Sequence, residues 1–226
     1  FVIDPAGATV LRYRRLVSLF APTPHDVWDR YLDLYGLEGV FPVARTAIGH
    51  LAAIASEEIL YPEIARCLAI RGAEVFVHCT SEVFTLTPPQ KKIARAARAL
   101  ENIAYVVSAN TAGTSGIGVP AQSPDGGSEI VDYMGGVMVT AGQGESINAN
   151  ARLLLEGLRS YRRRPGMGNL LSRQALDLYA GSFAAADLRR RNGLLKDGKV
   201  VVPDRRYFRD RQVDTLERMI ARGVIA

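Results

Sequence analysis

The chain has 226 residues, of which 48% are hydrophobic and 23% are charged, and its net charge is +5. This composition is typical of one folded domain with an extension, and it excludes a disordered or fibrous protein. Two cysteines cannot build a disulfide framework, no apolar run approaches the ~18 residues of a membrane span, and the first residues lack the features of a secretory signal. We therefore expect a cytoplasmic protein with free thiols.

The charge is unevenly distributed along the chain. Residues 1–150 contain 11 Lys and Arg against 15 Asp and Glu, whereas residues 151–226 contain 17 against 8. A basic segment of this kind suits nucleic acid, an anionic membrane face or an acidic partner subunit. Because acidic residues are mixed with the arginines and the aromatic residues are widely spread, the pattern favours a solvated, salt-bridged oligomer arm over a nucleic-acid surface.

The N-terminal part is predicted to contain short strands and a loop. Residues 1–4 and 8–13 are predicted strands around a Pro-Ala-Gly turn, and the Pro and Gly residues from 22 to about 40 indicate a loop that faces a ligand. Residues 51–55, LAAIA, form the kind of continuous apolar run that is typical of a strand buried on both faces.

The next segments alternate between helix and strand. They are a helix that begins at Pro62 and ends at Gly72, a strand at 74–78, a helix from Thr87 and Pro88 to about Glu101, and a strand at 104–110. A hairpin at 128–141, helices at 151–163, 169–191 and 211–222, and a turn at 196–198 before a short VVV strand complete the chain. This order predicts an α/β fold with a mixed sheet.

The junction after LAAIA is the most informative part of the sequence. A buried strand there passes into a helix through Ser56-Glu57-Glu58, and functional groups collect at the carboxyl ends of such strands. A sharp turn would present Ser56 Oγ outward as a nucleophile and direct the Glu57 N–H toward a developing oxyanion. The alternative is that Ser56 ends the strand or caps the next turn.

One stretch of the chain, residues 49–78, resembles the nucleophile segment of the nitrilase, or carbon–nitrogen hydrolase, superfamily. Its sequence is GHLAAIASEEILYPEIARCLAIRGAEVFVH, and it contains the Tyr-Pro-Glu and the Arg-Gly-Ala-Glu of that segment. Three further stretches resemble that family's lysine strand, Arg-Ala-x-Glu-Asn segment and late hairpin, and they are VLRYRRLVSLF (10–20), RAARALENIAYVVSAN (95–110) and GGSEIVDYMGGVMVTAGQGES (126–146). The resemblance covers roughly residues 1–163 and leaves residues 164–226 as the basic C-terminal arm.

The resemblance implies an αββα sandwich with mixed sheets and a Glu-Lys-Cys set. The Glu acts as general base, the Cys attacks an amide or nitrile carbon, and the Lys stabilises the tetrahedral intermediate. This chain has Ser56 at the nucleophile position and Arg15 at the lysine position, and no glutamate precedes Arg15. The N-terminal part of the sandwich, together with the base, is therefore expected upstream of Phe1.

These differences leave two interpretations open. A serine must lose its proton to a base during attack, and arginine keeps a positive charge but does not shuttle protons. In the first interpretation Ser56 attacks a small amide or nitrile while Arg15 and the Glu57 N–H hold the oxyanion. In the second, the protein is an inactive homologue that binds a small ligand or serves as a structural subunit.

The remaining candidate residues are weaker. The resemblance places Thr80 and Ser81 at the substrate pocket, although turn capping is the alternative role for both. The three histidines lack metal-ligand spacing, which favours core or surface roles. We expect no metal or cofactor, a small-molecule substrate or ligand, no membrane or nucleic-acid partner, and a homodimer or larger homo-oligomer joined through the arm.

Overall fold

The computed structural model of this protein describes residues 1–81, 90–113, 115, 116, 118, 126–142 and 147–226. The chain folds into two compact units. Unit 1 contains Phe1–Tyr13 and Phe41–Arg173, and unit 2 contains Arg14–Val40 and Gln174–Ala226. The chain therefore leaves unit 1 directly after Tyr13 and returns to it at Phe41.

Unit 1 is built on a six-stranded mixed sheet with the order β3-β4-β5-β6-β7-β8, and a separate hairpin pairs β1 with β2. Within the sheet, β4, β5 and β6 run parallel, and the other neighbouring strands pair antiparallel. The strands of the chain are β1 (Val2–Ile3), β2 (Thr9–Leu11), β3 (Ala44–Thr46), β4 (Gly49–Ala55), β5 (Val75–Cys79), β6 (Tyr105–Ala109), β7 (Glu129–Val131), β8 (Val137–Thr140), β9 (Leu195–Lys196) and β10 (Lys199–Val200).

Helices connect the parallel strands, because parallel neighbours need a long crossover connection. The α-helices of the chain are α1 (Trp28–Tyr35), α2 (Pro62–Ile70), α3 (Gln90–Asn102), α4 (Leu155–Arg163), α5 (Asp177–Ala186) and α6 (Arg205–Ala221). A short 3₁₀ turn, Ser56–Leu60, joins β4 to α2. No helix among the described residues combines the length and the apolar character needed to cross a membrane.

One face of the sheet carries two neighbouring rows of side chains that run across the strands. Backbone register aligns Ala52, Phe76, Val106 and Val131 in the first, which we call the apolar row. All four of its side chains are fully buried. Two residues further toward the carboxyl ends of the parallel strands, the same register aligns His78, Ser108 and Glu129, which we call the polar row.

The opposite face of the sheet packs against α4. Its core consists of Leu51, Val75 and Tyr105 from the sheet and Leu158 from the helix. The Tyr105 hydroxyl accepts a hydrogen bond from the Leu154 N–H at 3.0 Å, where α4 begins. Burial of each large apolar side chain contributes about 1.5–3 kcal/mol, so this cluster is a main source of the stability of unit 1.

A buried carboxylate holds α4 to the start of β5. Arg159 donates from Nε to Glu74 Oε1 at 2.7 Å and from Nη2 to Glu74 Oε2 at 3.0 Å, and the His50 N–H donates to the same carboxylate at 2.9 Å. Burial alone raises the pKa of Glu74, but these hydrogen bonds outweigh it and hold the pKa below its usual value. Glu74 is therefore ionised at neutral pH.

Unit 2 is built around another buried carboxylate, Asp26. It accepts hydrogen bonds from the Thr23 N–H at 2.8 Å, from the Tyr207 hydroxyl at 3.1 Å, and from Arg211. Burial alone raises the pKa of Asp26, but the bonds from Arg211 and Thr23 prevail and lower it. These contacts hold the segment that precedes α1 against α6.

Several element predictions are confirmed, namely the LAAIA strand, the helix that begins at Pro62, the strands that follow, the hairpin of β7 and β8, and the mixed sheet. The predicted start of a helix at Thr87 and Pro88 lies outside the described residues. The boundary between residues 1–163 and 164–226, and the role of the arm in self-association, stay predictions.

The loop predicted from residue 22 to about 40 is wrong. It contains a 3₁₀ turn at Pro24–Val27 followed by α1, because Pro24 occupies a first-turn position and Asp26 bonds back to the Thr23 N–H. The helix predicted at 169–191 is confined to Asp177–Ala186. The last helix begins at Arg205 rather than 211, because Asp204 caps it by accepting from the Arg206 and Tyr207 N–H groups.

Candidate functional site

The parallel strands end together at one edge of the sheet. Register aligns Ala55 with Cys79 and Cys79 with Ala109, which are the last residues of β4, β5 and β6. Ser56 and Thr80 therefore leave the sheet at the same edge. This is the edge at which α/β proteins gather functional side chains.

Ser56 adopts a left-handed backbone with a φ of 51° at the first residue of the 3₁₀ turn. A residue with a Cβ pays about 1–3 kcal/mol for such a conformation unless the surrounding structure imposes it. Among the described residues, Ser56 Oγ makes no hydrogen bond, so the hydroxyl does not cap the turn. The side chain is half-buried at the position predicted for a nucleophile.

The turn that follows Ser56 is fixed by buried hydrogen bonds. Glu58 is fully buried, and its Oε2 accepts from the Ala55 N–H at 3.0 Å and from the Tyr13 hydroxyl at 2.8 Å. Arg98 of α3 donates from Nε to the Ile59 carbonyl at 3.0 Å. Strand, helix and the N-terminal segment thus converge on a turn of five residues.

A fully buried histidine contacts Ser56 from the next strand. His78 Nε2 lies 2.8 Å from the Ser56 carbonyl oxygen, and His78 Nδ1 lies 2.8 Å from Ser108 Oγ. The sequence predicts a core or surface role for His78 and does not indicate this contact. The available signal was its position two residues after Phe76 in a buried strand, which places both side chains on the same face.

The other predicted site residues are distributed over both units. Glu57 is half-buried next to Ser56, and Thr80 is half-buried with its N–H donating to the Ala109 carbonyl at 3.0 Å. Ser81 is exposed. Arg15 belongs to unit 2, where its Nε donates to the Val17 carbonyl at 2.7 Å. The chemical roles of these residues stay predictions.

The cysteines and acidic groups of the described segments do not form a metal centre. Within those segments, no three His, Cys, Asp or Glu residues lie together as metal ligands would. Cys67 and Cys79 are free thiols, and burial raises the pKa of the Cys67 thiol. Cys79 is exposed one position before the strand exit and is not part of the turn.

Two formamidases are similar in sequence to part of this chain. The chain is 30% identical to a formamidase of Bacillus thuringiensis (strain Al Hakam) and equally to one of Bacillus cereus (strain B4264), over 51% of this chain and 32% of each relative. It thus spans about a third of the length of these curated relatives.

A solved carbon–nitrogen hydrolase from Helicobacter pylori G27 has a similar fold, with a TM-score of 0.54 and 22% identity over 63% of this chain and 52% of that one. This likeness confirms the predicted nitrilase-type fold class. The sequence model of the family described as carbon–nitrogen hydrolase matches residues 1–163. The chain therefore belongs to the carbon–nitrogen hydrolase family.

Proposed function

We propose that this protein hydrolyses a small amide, with formamide as the first candidate, through Ser56 as the nucleophile. The observation that carries the proposal is the left-handed backbone of Ser56 at the end of a buried parallel strand. Such a turn projects a side chain away from the sheet and toward a substrate. The formamidase relatives supply the substrate class.

The reaction would proceed in two steps. Ser56 Oγ bonds to the amide carbon while its proton passes to a base, and the carbonyl oxygen takes the negative charge. The intermediate collapses, the carbon–nitrogen bond breaks, and ammonia leaves with the proton that the base returns. Water then attacks the acyl ester, which releases the carboxylic acid and restores the serine hydroxyl.

His78 is not suited to act as the base in this scheme. Its Nε2 is directed at the Ser56 carbonyl and its Nδ1 at Ser108 Oγ, so neither ring nitrogen is directed at Ser56 Oγ. The base we propose is the glutamate that the family resemblance implies. The Glu57 N–H is proposed to stabilise the oxyanion, and the family resemblance implies the same role for Arg15, at the position of the family's lysine.

Ammonia release from formamide and short aliphatic amides tests the proposal. We expect turnover by the intact protein and a loss of at least about 1,000-fold in kcat/KM for Ser56→Ala, because removal of a nucleophile leaves only binding and oxyanion stabilisation. Ser160→Ala, an exposed serine of α4, is the matched control and keeps full activity. Turnover that persists in Ser56→Ala would overturn the assignment.

The inactive homologue is the competing function, and one double variant distinguishes it. If the protein shows no turnover but Ser56→Cys/Arg15→Lys gains it, the protein is an inactive member of the family. The reason is that a thiol of pKa ~8.5 ionises more readily than an alcohol and that a lysine can exchange protons. Arg15→Lys alone tests whether the planar guanidinium is needed in an active enzyme.

A further inference from the structure

We propose that His78 is a positioning residue that holds the Ser56 carbonyl and thereby fixes the backbone turn that presents Ser56 Oγ. The inference rests on the proposed function, since it assigns a role toward the same nucleophile. It depends on the polar row of the sheet and on Arg95 of α3, none of which contacts Ser56 Oγ.

The register of four strands builds the arrangement. His78 pairs with Ile54 on one side and Ser108 on the other, and Ser108 pairs with Glu129. These side chains share one face, and Arg95 reaches that face from α3. A connected line of polar groups therefore runs from β5 to β7, and in β5 and β6 it lies one residue before the end of the strand.

The hydrogen-bonding chemistry fixes which ring nitrogen carries the proton. A backbone carbonyl only accepts, so the 2.8 Å contact with the Ser56 oxygen requires the proton on His78 Nε2. Arg95 Nη1 donates to Ser108 Oγ at 3.0 Å, and the hydroxyl proton of Ser108 is available to His78 Nδ1 at 2.8 Å. In the proposed arrangement Nε2 is the donor and Nδ1 is the acceptor, which is a neutral ring.

The line of contacts is buried and begins at a cation. His78 and Ser108 are buried, and the Arg95 guanidinium donates to Ser108. Arg95 Nε lies 3.0 Å from Glu129 Oε1, an ion pair without hydrogen-bond alignment, so the cation that orients Ser108 has its own counter-charge.

The contact acts on the part of Ser56 that determines the turn. A residue with positive φ is stable only where neighbouring groups impose that conformation. Glu58 holds the N–H of Ala55, directly before Ser56, Arg98 holds the carbonyl of Ile59, three residues after it, and His78 holds the carbonyl of Ser56 itself. Loss of the Nε2 donor would let the peptide that follows Ser56 rotate, and Oγ would move with it.

Kinetics of the intact protein give the first test. We expect His78→Leu to lower kcat on the amide substrate at least about tenfold while KM changes less than about threefold, because the hydroxyl is misplaced but the substrate still binds. His78→Gln should recover most of the loss, since its side-chain NH₂ can donate to the same carbonyl. Phe76→Leu, on the same strand and face, is the matched control and keeps kcat.

A readout that does not depend on catalysis comes from NMR. We expect the ring nitrogens of His78 to show the neutral tautomer protonated at Nε2, and the backbone shifts of Ser56 to report a left-handed conformation. His78→Leu should lose those Ser56 shifts, and His78→Gln should keep them. If His78→Leu fails to fold, Ser108→Ala removes the next link of the polar row and should shift the tautomer equilibrium away from Nε2.

The two tests separate the positioning role from the proposed function. If the wild-type protein shows no turnover but gives the expected NMR result, the proposal of amide hydrolysis is overturned and the positioning of Ser56 by His78 still holds. Left-handed Ser56 shifts in a folded His78→Leu protein, or a ring protonated only at Nδ1, would overturn the positioning role whatever the activity.

Discussion

The apolar row and the polar row lie two residues apart on the same face of the sheet, and their buried side chains are stabilised by different interactions. In the apolar row, Ala52, Phe76, Val106 and Val131 pack without polar atoms. In the polar row, His78, Ser108 and Glu129 are equally buried but are held by hydrogen bonds and an ion pair with Arg95. Buried polar groups cost free energy that a hydrophobic replacement would not.

The difference between the rows indicates that one row contributes mainly to stability and the other to function. The apolar row lies deeper in the strands, and the polar row lies at the carboxyl edge beside Ser56. Since polar burial does not improve stability, its place next to the strained serine points to positioning. The comparison can be tested by substitutions in each row.

The largest expected effect on stability is in the apolar row. Phe76→Ala should lower the free energy of unfolding by about 3–5 kcal/mol, because it removes a fully buried aromatic ring and leaves a cavity. Urea unfolding followed by circular dichroism measures this. A loss below about 1 kcal/mol would show that the apolar row does not carry the stability that the comparison assigns to it.

The next effect is in the polar row. Arg95→Met should cost about 3 kcal/mol, because it leaves Glu129 buried without its counter-charge. Burial already raises the pKa of Glu129 against the opposing effect of Arg95, and loss of Arg95 raises it further. The cost should therefore be larger at pH 8 than at pH 5, where protonation removes the buried charge.

Arg95→Met/Glu129→Gln is the control for that prediction. It should recover part of the lost stability and abolish the difference between pH 5 and pH 8. A double variant as unstable and as pH-dependent as the single one would mean that Arg95 acts through another group.

At Ser56, beside the polar row, glycine should be better tolerated than alanine. Ser56→Gly is expected to be more stable than Ser56→Ala by about 1 kcal/mol, since glycine adopts a positive φ without a Cβ penalty. Both variants should lack amide turnover. Equal stabilities in urea would indicate that the left-handed turn is not strained.

The smallest effect concerns Glu74, whose pKa shift is opposite in direction to that of Glu129. Its lowered pKa means that its contribution to stability is present above the usual pKa of a glutamate and is lost as the pH falls through the folded-state value. Glu74→Gln should therefore unfold at a lower denaturant concentration than the wild-type protein at pH 7, and at the same concentration near pH 3. Denaturation midpoints across that range measure this, and a gap that stays constant with pH would contradict it.

The regular part of unit 1 could be predicted because its residues carry local signals. LAAIA is a continuous apolar run, Pro62 occupies the first position of α2, and the family resemblance located Ser56. Residues 22–40 differ from the predicted loop because proline and glycine also occur at the ends of helices, and here Pro24 opens a helical turn and Gly36 ends α1.

The polar row could not be predicted because its members lie far apart in sequence. Ser56 and His78 are 22 residues apart, and His78 and Ser108 are 30 apart. Only strand register brings them together, and a single sequence does not specify register between distant strands. A histidine in a buried strand is a weak signal until its neighbours are known.

The order of donors and acceptors in the polar row has a consequence for how this histidine is used. The hydrogen-bonded line from Arg95 through Ser108 and His78 begins at a guanidinium, which cannot accept a proton, and ends at the Ser56 peptide oxygen, which cannot give one up. A proton passed along this line would have no acceptor at one end and no donor at the other, so the imidazole does not relay protons along it, although proton transfer is a common role of histidine. In this fold the imidazole acts as a fixed hydrogen-bond donor, as the side-chain amide of an asparagine or glutamine would.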